Sequence, residues 1–306
     1  MARKKRLNLR RFVDRGRREG ALLREVGVPP PGSEGPPREQ LEQMLREAEA
    51  KVEGRPALWE REYTAMSIRT ALRSADDHED PREVRRRCEA VAAVLDELDA
   101  EEFGPLQARL SNGEYTPEDF RRDLAERPPY ECDAFAKRLM GVDTIPSARR
   151  PLERDMVHYL ASHMNVVFEL TERVTSEDVF FDLGAGLGLV PLYLAWLGAV
   201  PCRAIEYEPV YCEVLSQQAR RFNLERLDVI NADARDADYT EGTAFYLYDS
   251  FRGEILTAVL DKIRIVAQNH PIRFFSRGTC TKVLRACDWL REVEALPSDM
   301  VVFHSS

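Results

Sequence analysis

Residues 180–200, FFDLGAGLGLVPLYLAWLGAV, join a short hydrophobic run to a glycine-rich loop and then to an apolar segment. The run ends at Asp182, and Gly184, Gly186 and Gly188 follow at alternate positions. Closely spaced glycines after a strand let the backbone approach a ligand where a Cβ atom would collide. A helix that begins there points its N–H groups and its positive dipole end at the same place. The stretch therefore predicts a strand, a ligand-binding loop and a helix.

Strand-like and helix-like segments alternate through the rest of the chain. The strand-like segments after the first are CRAIE (202–206), LDVINA (227–232), TAFYLY (243–248) and IRFF (272–275). This alternation predicts a parallel sheet with helices on both faces. The end of the chain, REVEALPSDMVVFHSS, predicts two further strands joined by a tight turn, and residues 151–171 are expected to be helical.

Residues 39–150 predict a run of amphipathic helices with no visible chemistry. Leu41, Leu45 and Ala48 share one helical face, and Asp80-Pro81 is a typical helix start. Thr116 is the expected N-cap of a later helix. We predict three parts: a disordered basic arm with a Pro/Gly-rich linker at 1–38, a helical domain at 39–150 and an α/β domain at 151–306.

Charge is unevenly distributed over the chain. The whole sequence has a formal net charge of −9, yet residues 1–25 carry ten Lys/Arg and three Asp/Glu. Such an arm either contacts a polyanion or is a solvated tail, and like-charge blocks favour the tail. The six cysteines form no CxxC pair, which predicts reduced thiols, no metal site and a cytoplasmic protein. No apolar stretch is long enough to suggest a membrane span.

The spacing of the glycines separates two ligand classes. A dinucleotide loop has the form G-x-G-x-x-G/A, but Leu189 stands where its third small residue belongs. Residues 182–188, DLGAGLG, resemble instead the acid-x-Gly-x-Gly-x-Gly loop of class I S-adenosylmethionine-dependent methyltransferases. That resemblance implies a Rossmann-like, mostly parallel seven-stranded sheet that ends in an antiparallel hairpin. It also implies that Asp182 orients the ammonium group of S-adenosylmethionine, and that Gly184, Ala185, Gly186 and Gly188 pass beneath its amino-acid part.

Acidic residues also follow the second and third strands. A ribose needs an acceptor at the end of the second strand, where Glu206 stands beside Tyr207. Glu208 is the competitor, although it lies past the strand and is expected to be solvated. The methyltransferase resemblance makes Asp233 the acceptor for the adenine amino group, with Ala234 as its small neighbour. The alternative is that Asp233 only stabilises a turn.

Candidates for the methyl-transfer step lie at the end of the fourth strand and before the first. Tyr248 is a candidate both for this step and for cofactor binding. Asp249, which follows it, either orients a target amine or caps the helix that begins near Gly253. Tyr159, with His158 beside it, either lines the methyl channel or packs within a helix. Arg277 follows the fifth strand at the rim, with no assigned role.

Residues 156–281 resemble, more narrowly, the non-SET histone-lysine methyltransferases and their uncharacterised bacterial relatives. The matching features are the segment before the glycine loop, Glu206 and the helix FRGEILTAVLDKIR. The expected function is methyl transfer from S-adenosylmethionine to a protein side chain, an RNA or a small molecule, with the helical region as lid or recognition element. The alternative is a non-catalytic protein that binds the cofactor or a partner; a dehydrogenase is disfavoured by Leu189 and by the terminal hairpin.

Overall fold

The computed structural model describes residues 38–306. Residues 1–37 of the predicted arm and linker, and with them the expected polyanion contact, lie outside the described part. Ten α-helices, two short 3₁₀ helices and seven strands lie within the described range. No helix in that range is long and apolar enough to cross a membrane.

The first five helices precede the sheet. They are α1 (Arg38–Glu53), α2 (Leu58–Arg73), α3 (Pro81–Ser111), α4 (Pro117–Glu126) and α5 (Cys132–Met140). Helix α3 starts as predicted, with the Asp80 side chain accepting from the Glu83 N–H, and it runs on to Ser111 because Phe103 and Leu110 extend its buried face. Thr116 caps α4 as predicted.

The remaining elements form the α/β part. Its helices are α6 (Met164–Thr171), α7 (Leu189–Gly198), α8 (Pro209–Arg221), α9 (Gly253–Asn269) and α10 (Thr281–Arg285). Its strands are β1 (Phe180–Leu183), β2 (Cys202–Glu206), β3 (Leu227–Asn231), β4 (Ala244–Tyr248), β5 (Arg273–Arg277), β6 (Leu290–Ala295) and β7 (Met300–Ser305).

The seven strands form one sheet in the order β3-β2-β1-β4-β5-β7-β6. Strands β1 to β5 pair in parallel, whereas β7 runs antiparallel to both β5 and β6. The predicted fold class is therefore confirmed: a Rossmann-like, mostly parallel seven-stranded sheet with a terminal antiparallel hairpin follows a helical region. Because the strand order reverses between β1 and β4, a crevice opens at their carboxyl ends, where open α/β sheets bind ligands.

Two hydrophobic cores flank the sheet. The one on the Tyr246 side of β4 reaches into the helical region, where Phe120 of α4 stacks on Tyr193 of α7 with 4.9 Å between ring centroids. A third, smaller core lies among α1, α2 and the first half of α3, around Leu45 and Cys88. The domain division at residues 150 and 151 stays a prediction.

The expected helix over residues 151–171 is wrong for its first part. Only Met164–Thr171 is helical, and residues 148–160 form an irregular segment that we call the strap. Two of its backbone hydrogen bonds reach the loops at the end of the sheet: the Val157 N–H donates to the Ser250 carbonyl, and the Arg252 N–H donates to the Asp155 carbonyl. Periodicity could not reveal this, because the partners of the strap lie about 95 residues later in the chain.

Candidate functional site

A cavity of about 330 Å³ lies at the carboxyl ends of β1, β2 and β4, under the strap. This size falls within the usual range for small-molecule sites. Nine of the ten predicted cofactor residues line it: Asp182, Gly184, Ala185, Gly186, Glu206, Tyr207, Asp233, Ala234 and Tyr248. The predicted Tyr159 also lines it, whereas Gly188 and Asp249 do not.

Asp182 is the penultimate residue of β1 and a buried acid, with only 4 % of its surface exposed. Within residues 38–306, no side chain or backbone N–H donates to its carboxylate. Burial, followed by the negative charge of Glu206, raises the pKa of Asp182 to about 8. A buried carboxylate without a partner is costly for a protein to keep, and this one faces a cavity. A cationic group bound in the cavity would provide the missing partner.

Glu206, at the end of β2, fixes the glycine loop. One carboxylate oxygen accepts from the Gly186 N–H and the other from the Glu208 N–H, both at 2.7 Å. Burial raises the pKa of Glu206, although these backbone hydrogen bonds oppose the rise. Because each carboxylate oxygen has a second lone pair, Glu206 keeps acceptor capacity towards the cavity.

Glu206→Gln is expected to weaken ligand binding and to loosen the loop. A Gln amide nitrogen would face one of the two backbone N–H donors, which leaves that donor unpaired. We expect roughly a 10- to 100-fold loss of affinity for S-adenosylmethionine, measured by calorimetry, together with faster hydrogen exchange at the Gly186 or Glu208 amide. Glu241→Gln is the control, because Glu241 is an exposed partner of Arg203. Equal affinity in Glu206→Gln and wild type would contradict the expected contribution of Glu206 to ligand binding.

Glu208 is not the solvated residue that the sequence suggested. It is buried, and its carboxylate accepts from the Val210 N–H at the start of α8 and from the Arg150 N–H of the strap. Arg150 in turn donates to the Tyr207 carbonyl and lies over the Tyr207 ring, 4.9 Å from its centroid. Glu208 therefore attaches the strap to the β2 end of the cavity.

Asp233, after β3, is paired with Arg235. Arg235 contacts both oxygens of the Asp233 carboxylate, and the hydrogen bond between the side chains lowers the pKa of Asp233. Arg235 also reaches Glu153 of the strap at 2.8 Å. Asp233 thus lines the cavity as the resemblance implies and also belongs to a second attachment of the strap.

The three glycines of the loop have different neighbours. A Cβ atom at Gly184 would lie 2.3 Å from Ser250, one at Gly186 would lie 2.1 Å from the Tyr159 ring, and one at Gly188 would lie 2.2 Å from Leu215. The prediction that Gly188 passes beneath a cofactor is therefore wrong. Gly188 stands at the start of α7 and admits a side chain of α8, outside the cavity.

Asp249 also requires a correction. Its carboxylate accepts from the Thr279 N–H, the Thr279 hydroxyl and the Cys280 N–H, at 2.8 to 3.0 Å. It therefore stabilises the turn after β5. It does not cap α9, which was the alternative role that the sequence suggested. With its acceptors engaged there and no surface on the cavity, Asp249 is not positioned to orient a methyl acceptor.

Sequence reasoning missed several cavity residues. Tyr246 is fully buried, and its hydroxyl lies 3.0 Å from the Ser162 hydroxyl. Tyr211 of α8 lies beside Tyr159, with 5.6 Å between ring centroids. The period of two along a strand could have identified Tyr246, because it shares a face of β4 with Tyr248. Ser162 and Tyr211 had no such signal.

Comparisons with known proteins place the chain among distant structural neighbours. The chain matches no protein-family model and no curated protein. An RNA methyltransferase from Salinibacter ruber, solved with S-adenosyl-L-homocysteine, is similar over 48% of this chain and 92% of its own, with 20% identity and a TM-score of 0.36. A precorrin-6y C5,15-methyltransferase from Geobacter metallireducens covers 49% of this chain and 90% of its own, at 16% identity and a TM-score of 0.38.

A third neighbour is an rRNA methylase from Streptococcus thermophilus, with 14% identity, 46% of this chain and 93% of its own covered, and a TM-score of 0.34. We infer neither function nor ligand from likenesses of this size. The strand order and the cavity described above stand on the chain's own geometry.

Proposed function

We propose that the chain is an S-adenosylmethionine-dependent methyltransferase. The observation that carries this proposal is Asp182, a buried carboxylate with no donor in residues 38–306, facing a cavity at the switch point of the sheet. The glycine loop, Glu206 and Asp233 support it, because they lie at the carboxyl ends of β1, β2 and β3 in the order that this ligand requires. The cavity gives no support to the lysine acceptor of the non-SET enzymes.

The cavity residues fit the parts of the ligand. Asp182 would bind its ammonium group, Glu206 its ribose hydroxyls, and Asp233 or the backbone near Ala234 its adenine edge. When bound, S-adenosylmethionine supplies a methyl group on a positively charged sulfur. The chain's own contribution is positioning and exclusion of water: the strap covers the site, with Tyr159 packed against Gly186, and Tyr246 and Tyr248 line the wall on β4.

The first test is calorimetric titration with S-adenosylmethionine and S-adenosylhomocysteine, with NAD as the control. We expect micromolar binding of the first two and none of NAD. Binding of NAD alone would contradict the proposal. Binding without methyl transfer to any component of a cell extract would favour the alternative, a non-catalytic protein that binds the same ligand.

The same titration is expected to show proton release at pH 7. Since the pKa of Asp182 is about 8 in the free protein, its carboxyl is mostly protonated at pH 7, and an ammonium group binds the ionised form. Close to one proton should therefore leave per ligand bound, and affinity should rise with pH until about pH 8. The measurement is the binding enthalpy in phosphate and in Tris, whose ionisation enthalpies differ. An enthalpy that is independent of the buffer would contradict the role of Asp182.

A cytoplasmic location and a contact between residues 1–25 and a polyanion stay predictions.

A further inference from the structure

An aromatic and a cationic side chain lie side by side at the β4–β5 end of the cavity. Tyr248 and Arg277 are register partners on these two parallel strands. The guanidinium carbon of Arg277 lies 4.6 Å from the centroid of the Tyr248 ring. Tyr248 lines the cavity on the same face of β4 as Tyr246. The Tyr248 ring thus lies between the Arg277 guanidinium and the site proposed for the methyl donor.

The charge of Arg277 has no acidic partner in the described part of the chain. Its Nε donates to the Ser298 carbonyl at 2.9 Å, and its Nη1 is buried without a hydrogen-bond partner. The acids nearby are engaged elsewhere: Glu169 accepts from Ser298, and Asp249 accepts from the turn after β5. A buried donor that is left unpaired costs free energy and calls for an explanation. Nη1 itself is shielded from solvent, but Arg277 as a whole is partly exposed, so an incoming group reaches the guanidinium from its exposed side.

The surroundings favour one organic anion over a polyanion. Residues 38–306 carry 49 Asp/Glu and 34 Lys/Arg, and this negative body repels a phosphate backbone. The guanidinium fork matches a single carboxylate in two parallel hydrogen bonds. Leu152 and Leu160 at the rim of the cavity are exposed apolar side chains, 41% and 61% accessible. They suit the hydrocarbon part of an organic acceptor.

We propose that Tyr248 and Arg277 form the acceptor subsite, and that Arg277 binds a carboxylate group of the methyl acceptor. This inference rests on the proposed methyltransferase function and adds the chemical class of its substrate. Tyr248 holds the guanidinium in place by cation–π contact, and the carboxylate fills the donor capacity that the protein leaves open.

The experiment uses the full chain, a cell extract and methyl-labelled S-adenosylmethionine. One portion of the extract is treated with carbodiimide and glycinamide, which convert carboxylates to amides. A second portion is treated with nuclease and phosphatase. We expect amidation to remove the labelling and the nuclease and phosphatase treatment to leave it intact. The reverse result would overturn the carboxylate assignment and indicate a phosphate-bearing acceptor.

Variants of Arg277 test whether this residue binds the acceptor. Arg277→Met is expected to raise the KM for the extract acceptor roughly 10- to 100-fold, since a charge-assisted pair is lost, while the calorimetric affinity for S-adenosylhomocysteine stays at the wild-type value. Arg277→Lys keeps the charge but loses the planar fork of the guanidinium, so its KM should lie between those of the wild type and Arg277→Met. Arg291→Met removes an exposed charge on β6 and is the control.

The outcomes separate this inference from the proposed function. If the wild type binds no S-adenosylmethionine, or binds it and labels nothing, the methyltransferase proposal fails and the subsite with it. If labelling occurs but Arg277→Met has the wild-type KM, the subsite is wrong and the methyltransferase proposal stands. Unchanged S-adenosylhomocysteine affinity in Arg277→Met shows that the variant is folded, so a raised KM then reports on the acceptor.

Discussion

Asp182→Asn is expected to stabilise the ligand-free protein and to abolish tight binding of S-adenosylmethionine. The pKa of Asp182 is about 8 in the folded protein, against about 3.9 in an unfolded chain. Because the pKa is higher in the folded state, Asp182 lowers the free energy of unfolding as pH rises. Its contribution is most favourable below about pH 4 and is lost as pH rises through 8. Each pH unit in this window is worth up to about 1.4 kcal/mol. Asn avoids the charge but buries an unpaired amide, so we expect a net gain on the order of 3 kcal/mol at pH 8.

Asp178→Asn is the matched control for this prediction. Asp178 is equally an acid buried beside β1, but it accepts from the Thr175 N–H, the Thr243 hydroxyl and Arg273. Burial opposes ionisation, yet these hydrogen bonds outweigh it and lower the pKa of Asp178. Its replacement should therefore destabilise the protein. Chemical denaturation at pH 5 and pH 8, with calorimetry for the ligand, tests both variants; a destabilised Asp182→Asn with wild-type affinity would refute the ligand-binding role.

Gly186→Ala is expected to remove ligand binding by displacing the strap. The φ angle at Gly186 is +58°, which costs about 1–2 kcal/mol for a residue with a Cβ atom. The new Cβ would also lie 2.1 Å from the Tyr159 ring, so Tyr159 must leave the cavity wall. We expect a loss of stability of about 2–4 kcal/mol and at least a 100-fold loss of affinity for S-adenosylmethionine. Denaturation and calorimetry measure the two effects.

Two further variants separate the causes. Gly186→Ala combined with Tyr159→Ala removes the collision but not the backbone cost, so part of the stability should return. Gly188→Ala meets Leu215 outside the cavity; it should lose stability and keep its affinity at temperatures where it is folded. If Gly188→Ala lost affinity as strongly as Gly186→Ala, contact with the strap would not be the reason.

The strands and the order of the acids were predictable because both are local in sequence. Hydrophobic runs of four to six residues locate β1 to β5, and the acids near the carboxyl ends of β1, β2 and β3 are Asp182, Glu206 and Asp233. The terminal hairpin was visible from its turn. These features need only short-range periodicity and the rule that ligands meet the carboxyl ends of parallel strands.

The features that were missed depend on contacts between distant segments. The strap could not be recognised because the partners of Val157 and Asp155 are Ser250 and Arg252. Asp249 looked free because its donors, Thr279 and Cys280, lie thirty residues later. The loop glycines were expected to make room for a ligand, whereas Cβ atoms on Gly186 and Gly188 would collide first with Tyr159 and Leu215. Composition gave no sign of these pairings.

The chain leads from the strap into a helix on either side, since α5 ends at Met140 and α6 begins at Met164. A segment held at both ends can move outward as a loop, but it cannot rotate away about one end. Its attachments to Glu208, Arg235 and Ser250 hold it over the cavity. Under the proposed function, we expect exchange of the spent donor for a new one to require release of the strap from these residues.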